Sequence, residues 1–91
     1  MISCVVTVSN PLGLHARAAA RFVHAASAFR SHVRVPSGTR EIDGKSIMGL
    51  LLLAAAQGSR ITISVSGPDE NDALTALCAL VERGFDEVPC V

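Results

Sequence analysis

The sequence predicts an α+β fold, an open-faced two-layer sandwich in which a four-stranded antiparallel sheet carries three helices on one face. Two patterns predict it. Four short segments alternate apolar and polar residues at a spacing of two, and three longer ones repeat apolar residues at intervals of three and four. Their order is strand, helix, strand, strand, helix, strand, helix. Each strand then has one apolar face and each helix one apolar stripe, so the helices pack as a layer on the sheet. With 91 residues and 49% apolar content, the chain is expected to form one domain over residues 1–91.

The elements follow in order. "ISCVVTVS" sets Ile2, Cys4, Val6 and Val8 on one side of a first strand, and "NPLG" ends it with turn chemistry. From Ala16 to about Ala28, Ala19, Phe22, Val23 and Ala26 form a helical stripe, with Arg17, Arg21 and His24 turned away. "HVRVPSGTREI" reads as two short strands joined through Pro36, Ser37 and Gly38. Ser46 then caps a second helix whose apolar stripe is Ile47, Leu50, Leu51 and Ala54, with Gly58 as its stop. "SRITISVSG" turns Ile61, Ile63 and Val65 inward. Acidic residues between Pro68 and Asp72 open the last helix, whose stripe is Ala73, Leu74, Leu77, Leu80 and Val81. Gly84 stops it, Phe85 is placed to fold back onto the core, and the tail beyond is expected to be irregular.

Composition narrows the function classes. The start of the chain lacks the basic, long apolar profile of a secretory signal, and no run approaches membrane-spanning length. A cytoplasmic protein without membrane insertion is expected. Cys4, Cys78 and Cys90 are odd in number and widely spaced, so neither a disulfide framework nor a cysteine zinc site is expected, and reduced thiols fit that compartment. Net charge is zero, but residues 1–45 carry six basic and two acidic groups, and the remainder carries two basic and six acidic groups. Such asymmetry can orient a partner during encounter. The three phenylalanines all lie on or beside helices, and tyrosine and tryptophan are absent, which argues against nucleic-acid recognition from the sheet.

The chemically telling segment is "GLHARAAARFV". His15 stands at the N-cap or first turn of the first helix, where backbone amides lack partners within the helix and carry partial positive charge. An anion beside His15 would meet the amides of Ala16 and Arg17 as well as the Arg17 guanidinium. A ring there suits a nucleophile that carries a phosphoryl group covalently. The residues alone leave a simpler role open, a histidine that only caps its helix. No metal set emerges: His24 lies on the opposite side of the helix from His15, and His32 opens a strand. "GTREIDGKS" has one residue too many between its glycines for a phosphate-binding loop.

"NPLGLHARAAARFV" resembles the active-site segment of the HPr family, the histidine phosphocarriers of the bacterial phosphoenolpyruvate-dependent phosphotransferase system. "GKSIMGLLLLAAAQGS" resembles that family's regulatory-serine segment, and the similarity extends to "GPDENDAL" and covers nearly the whole chain. The resemblance implies that His15 accepts a phosphoryl group on Nδ1 from enzyme I and passes it to an acceptor of the enzyme IIA type, with Arg17 at the phosphate. It also implies that Ser46 is the target of an ATP-dependent HPr kinase/phosphorylase. No cofactor is implied, and the protein is a carrier rather than an enzyme. The sequence departs from the commonest family pattern at Ala18, where proline is frequent, and at Pro11, where lysine is frequent. Alanine also favours a helix, so these departures bear on partner choice more than on chemistry.

Ser46 taken by itself is an ordinary helix cap. A phosphate on it would add roughly −1.5 to −2 charge at a helix N-terminus, changing the surface potential while leaving the fold intact. Docking is expected to combine Arg21 and the other basic groups near His15 with Ile47, Met48 and Leu51, because a helix apolar nearly all round is either buried or facing a partner. The alternative is that these residues are all core. A monomer suffices for such a carrier. Alternatives in function are a purely regulatory carrier of the nitrogen-linked branch, a small regulatory binding domain, and, least favoured, an independent hydrolase.

Overall fold

The structure, a computed structural model, describes residues 1–86. Its elements are β1 (Ile2–Thr7), α1 (Ala16–Ser27), β2 (His32–Ser37), β3 (Arg40–Asp43), α2 (Ile47–Leu53), β4 (Arg60–Ser66) and α3 (Glu70–Glu82). The order is the expected one. The strands form one sheet in the order β1-β4-β2-β3, with every neighbouring pair antiparallel.

Register follows from the alternation. Val65 of β4 lies opposite Ile2 on one side and Val33 on the other, and Ile63 lies opposite Cys4. Val6, Val33, Val35, Ile61, Ile63 and Val65 are buried on this face. A slip of one residue would turn all of them to solvent, which is why a sheet covered on one side has a single register. Helix stripes cover that face: Ala18, Ala19, Phe22 and Ala26 from α1, Leu50 from α2, and Ala73, Leu77, Leu80 and Val81 from α3. Phe85 folds back after Gly84 and is fully buried. Removing a side chain of that size from water stabilises the fold by about 1.5–3 kcal/mol.

Four local expectations need correction. The second helix ends at Ala54, which adopts the left-handed conformation with φ 51°, so Gly58 is not its stop. Within it only Leu50 is buried, whereas Ile47 and Ala54 are exposed. Seven residues make barely two turns, too short a helix to bury a full stripe. Pro36 belongs to β2 rather than to the turn, which is Gly38 and Thr39 between the paired Ser37 and Arg40. β2 pairs with β4 only over His32–Arg34, so Pro36 stands where one flank of the strand is unladdered and a missing N–H is tolerated.

The fourth correction concerns the thiols. Cys4 on β1 and Cys78 on α3 form a disulfide, with Cα atoms 7.4 Å apart. The pairing arises because α3 packs directly on β1 and β4. Cys90 and the rest of the tail, 87–91, lie outside the described residues.

Candidate functional site

His15 owes its position to the turn before it. The Asn10 side chain donates to the Gly13 carbonyl at 2.7 Å, and the Gly13 amide returns a bond to the Asn10 carbonyl at 3.1 Å. Gly13 takes φ +67°, and a Cβ there would stand 2.4 Å from the carbonyl oxygen of Ala55, so only glycine fits. The Leu14 amide bonds to that same oxygen at 2.8 Å, and the Leu14 side chain is buried. The loop is thereby tied to the segment just beyond α2.

The chain then enters α1 with His15 as N-cap in an extended conformation. Its carbonyl accepts the first helical bond from Ala19 at 2.8 Å, and its Nδ1 accepts from the Arg17 amide at 3.3 Å. An acceptor Nδ1 has its lone pair toward the helix amides, and in the neutral ring the proton is then on Nε2. The ring is half-buried, and Ala16 and Arg17 beside it are exposed. The amides of Ala16 and Arg17 are among the helical donors without a carbonyl four residues back in the helix, and no acidic side chain stands in the first turn. An imidazole acceptor at a helix N-terminus, with the Arg17 amide at Nδ1 and exposed first-turn residues beside it, is an arrangement that can hold a tetrahedral anion on nitrogen.

Ser46 caps α2 as the sequence indicates, its Oγ accepting from the Gly49 amide at 3.1 Å. Met48 is 72% and Ile47 40% exposed. Leu51 is half-buried against the core. Two apolar residues that sequence reasoning did not include are exposed to the same degree as Met48, Leu12 at 72% and Leu52 at 74%. Leu12 belongs to the loop that Leu14 ties to Ala55, so the exposed apolar surface brackets the His15 loop and α2 together. Its signal in the sequence was the leucine inside "NPLGL", a large apolar residue in a turn. Arg21 is turned differently from the α2 surface: its Nη1 donates to the Phe85 carbonyl at 2.7 Å, and it lines a groove between α1 and α3 with His24. Among the described residues no helix is long and apolar enough to cross a membrane, and no group of three or more His, Cys, Asp or Glu could hold a metal ion.

Comparison with known proteins agrees with this arrangement. The family model described as the PTS HPr component phosphorylation site matches residues 2–83. The phosphocarrier protein HPr of Cupriavidus necator is 45% identical over 87 residues, covering 96% of this chain and 98% of that protein. The phosphocarrier protein NPr of Shewanella violacea is 43% identical, covering 90% of each chain. The crystal structure of HPr-C-His from Thermoanaerobacter tengcongensis superimposes with a TM-score of 0.90 at 39% identity, covering 98% of this chain and 100% of that one. With the fold, the histidine-capped first helix and near full-length similarity in agreement, the chain belongs to the HPr family of phosphocarrier proteins.

Proposed function

We propose that His15 is the phosphoryl acceptor, on Nδ1, and that the chain relays the group from phosphorylated enzyme I to a downstream acceptor of the phosphotransferase system. The observation that carries this reading is the 3.3 Å approach of the Arg17 amide to Nδ1 at an N-cap. The lone pair of Nδ1 attacks phosphorus, a nitrogen–phosphorus bond forms as the donor's own bond to phosphorus breaks, and the donor's leaving atom keeps that electron pair. Nδ1 bears no proton, so attack needs no base, and the proton stays on Nε2. The Arg17 amide, held now by a long bond to Nδ1, turns with the Ala16 amide to the phosphoryl oxygens, and the Arg17 guanidinium adds charge. Phosphoryl transfer asks little of the protein beyond in-line placement and charge stabilisation, which suits a small carrier without a catalytic set of its own.

Ser46 is the regulatory site of this reading, phosphorylated by an ATP-dependent HPr kinase/phosphorylase. Its Oγ would exchange the bond from Gly49 for a phosphate at the same helix N-terminus, and the added negative charge would repel an acidic partner. Docking uses the apolar surface of Ile47, Met48 and Leu51 with the basic flank of Arg17 and Arg21. One copy of the 91-residue domain suffices, acting in the cytosol. The similarity to the Shewanella NPr supports a second reading, in which the same chemistry serves regulation in the nitrogen-linked branch.

The test is incubation with phosphoenolpyruvate and enzyme I, followed by intact mass at neutral and acidic pH. One acid-labile phosphoryl group that is absent from His15→Ala is the expected result. No adduct, or an adduct that survives in His15→Ala, refutes the proposal.

A further inference from the structure

Leu12 is 72% exposed and stands three residues before His15 in a tightly folded segment. The Gly13 amide donates to the Asn10 carbonyl at 3.1 Å and closes a β-turn with Pro11 and Leu12 at its centre. Asn10, Gly13 and Leu14 are buried, whereas Pro11 and Leu12 are exposed. Proline fixes one dihedral of the turn, the Asn10 side chain holds the Gly13 carbonyl at 2.7 Å, and the Leu14 amide bonds to Ala55 at 2.8 Å. The leucine is thus offered to solvent on a backbone pinned from both sides.

A single exposed leucine is ordinary on a protein surface, and what distinguishes this one is its place. Three residues of extended chain reach at most about 11 Å. The His15 amide bonds to the Gly13 carbonyl at 3.0 Å, which folds the chain shorter than that reach. A protein that hands a phosphoryl group to Nδ1 without losing it to water must exclude solvent around phosphorus, so His15 lies inside its footprint. Centred on His15, a partner surface of ordinary size covers about 800 Å², a disc of about 16 Å radius. Leu12 falls within it. The segment suits an apolar contact, since no Asp, Glu, Lys or Arg occurs between Ile2 and Leu14.

We infer that Leu12 is a specificity-determining contact of the carrier, seated against an apolar patch that the phosphoryl donor protein presents beside its own phosphorylated side chain. The inference rests on His15 being the phosphoryl acceptor, and it adds a contact on the loop side of that histidine, apart from the α2 surface and the arginines. Because the turn is already rigid in the free chain, docking orders little that was not ordered before, and burial of the side chain goes into affinity. The contact is the same before and during transfer. Its loss therefore raises the concentration needed for half-maximal phosphorylation without lowering the maximal rate.

The test is phosphorylation of the full chain by enzyme I and phosphoenolpyruvate, measured against carrier concentration at low and at high salt. Leu12→Ala is expected to raise the half-saturating concentration about fivefold or more and Leu12→Asp about tenfold or more, with the maximal rate and the urea midpoint at parental values. Leu12→Met, similar in volume, is expected to recover most of the affinity lost in Leu12→Ala. The ratio of Leu12→Ala to parent is expected to be the same at both salt concentrations, because an apolar contact is not screened. Parental half-saturation in Leu12→Ala, or a fall in maximal rate alone, overturns the inference while leaving His15 as the acceptor. A parent chain that takes up no acid-labile phosphoryl group overturns the reading beneath it and the inference together.

Discussion

The amide of Leu14 and the carbonyl of Ala55 meet at 2.8 Å, and this contact joins the loop before His15 to the left-handed end of α2. Gly13 makes the contact possible, since a Cβ at that position would fall 2.4 Å from the same oxygen. Gly13→Ala must therefore both strain φ +67° and push the loop off Ala55. A loss of about 1–3 kcal/mol in urea unfolding is expected for such a position. Phosphoryl uptake by His15 should slow as well, measured with enzyme I and phosphoenolpyruvate. A variant with parental stability would show that the approach is not tight.

Asp69 gives the fold a dependence on acid. Its carboxylate accepts a hydrogen bond from the Ser31 hydroxyl and from the amides of Arg30 and Ser31, and these hold it below the usual aspartate range, the Ser31 hydroxyl contributing most. A folded-state value below the unfolded one adds stability above the unfolded value, near pH 4, that is lost as pH falls through the folded value. Unfolding followed from pH 6 to pH 2 should show a fall that begins below about pH 4. Asp69→Asn should be less stable at pH 6 and show a smaller fall. Equal acid sensitivity in parent and Asp69→Asn would assign the fall to other carboxylates.

What the sequence disclosed depended on how local the cause was. The order of elements, the inward faces of β1 and β4, the N-caps at His15 and Ser46 and the return of Phe85 all follow from periodicity and turn chemistry within a few residues. The length of α2 did not, because its end is set by Ala54 yielding to left-handed geometry where Ala55 must meet Leu14, a contact 41 residues away in sequence by the pair's own numbers. The carboxylate of Asp69 was legible as acid at a helix start. Its actual partners lie at 30 and 31, brought near only by the sheet. Arg21 shows the same limit, since its carbonyl partner at Phe85 is reached only after α1 and α3 pack together.

The Cys4–Cys78 bond was hidden from spacing for that reason too, and it carries its own prediction. The bridge spans a sequence separation of 74. Closing a loop of that length removes chain entropy from the unfolded state worth about 4.5 kcal/mol in the loop-closure model, and typical effects run about 2–4 kcal/mol. Reductant should lower the urea midpoint accordingly, while Cys4→Ser, which cannot close the loop, should be insensitive to it. A midpoint equal with and without reductant would show that the thiols are unpaired in solution.

Leu50 and Met48 stand two residues apart on α2 with opposite environments, 1% and 72% exposed. Leu50→Ala removes a side chain from the packed layer between α2 and the sheet and should cost about 2–5 kcal/mol. Met48→Ala leaves the core untouched and should stay within about 0.5 kcal/mol of the parent. If α2 presents its outer apolar surface to enzyme I, Met48→Asp should raise the concentration of this chain needed for half-maximal phosphorylation while leaving the unfolding midpoint alone. The mechanism is direct: an apolar contact is lost and a carboxylate is desolvated at the contact. Unchanged transfer kinetics in Met48→Asp and in Leu52→Asp together would remove α2 from the docking surface and leave the basic flank around Arg17 as its main part.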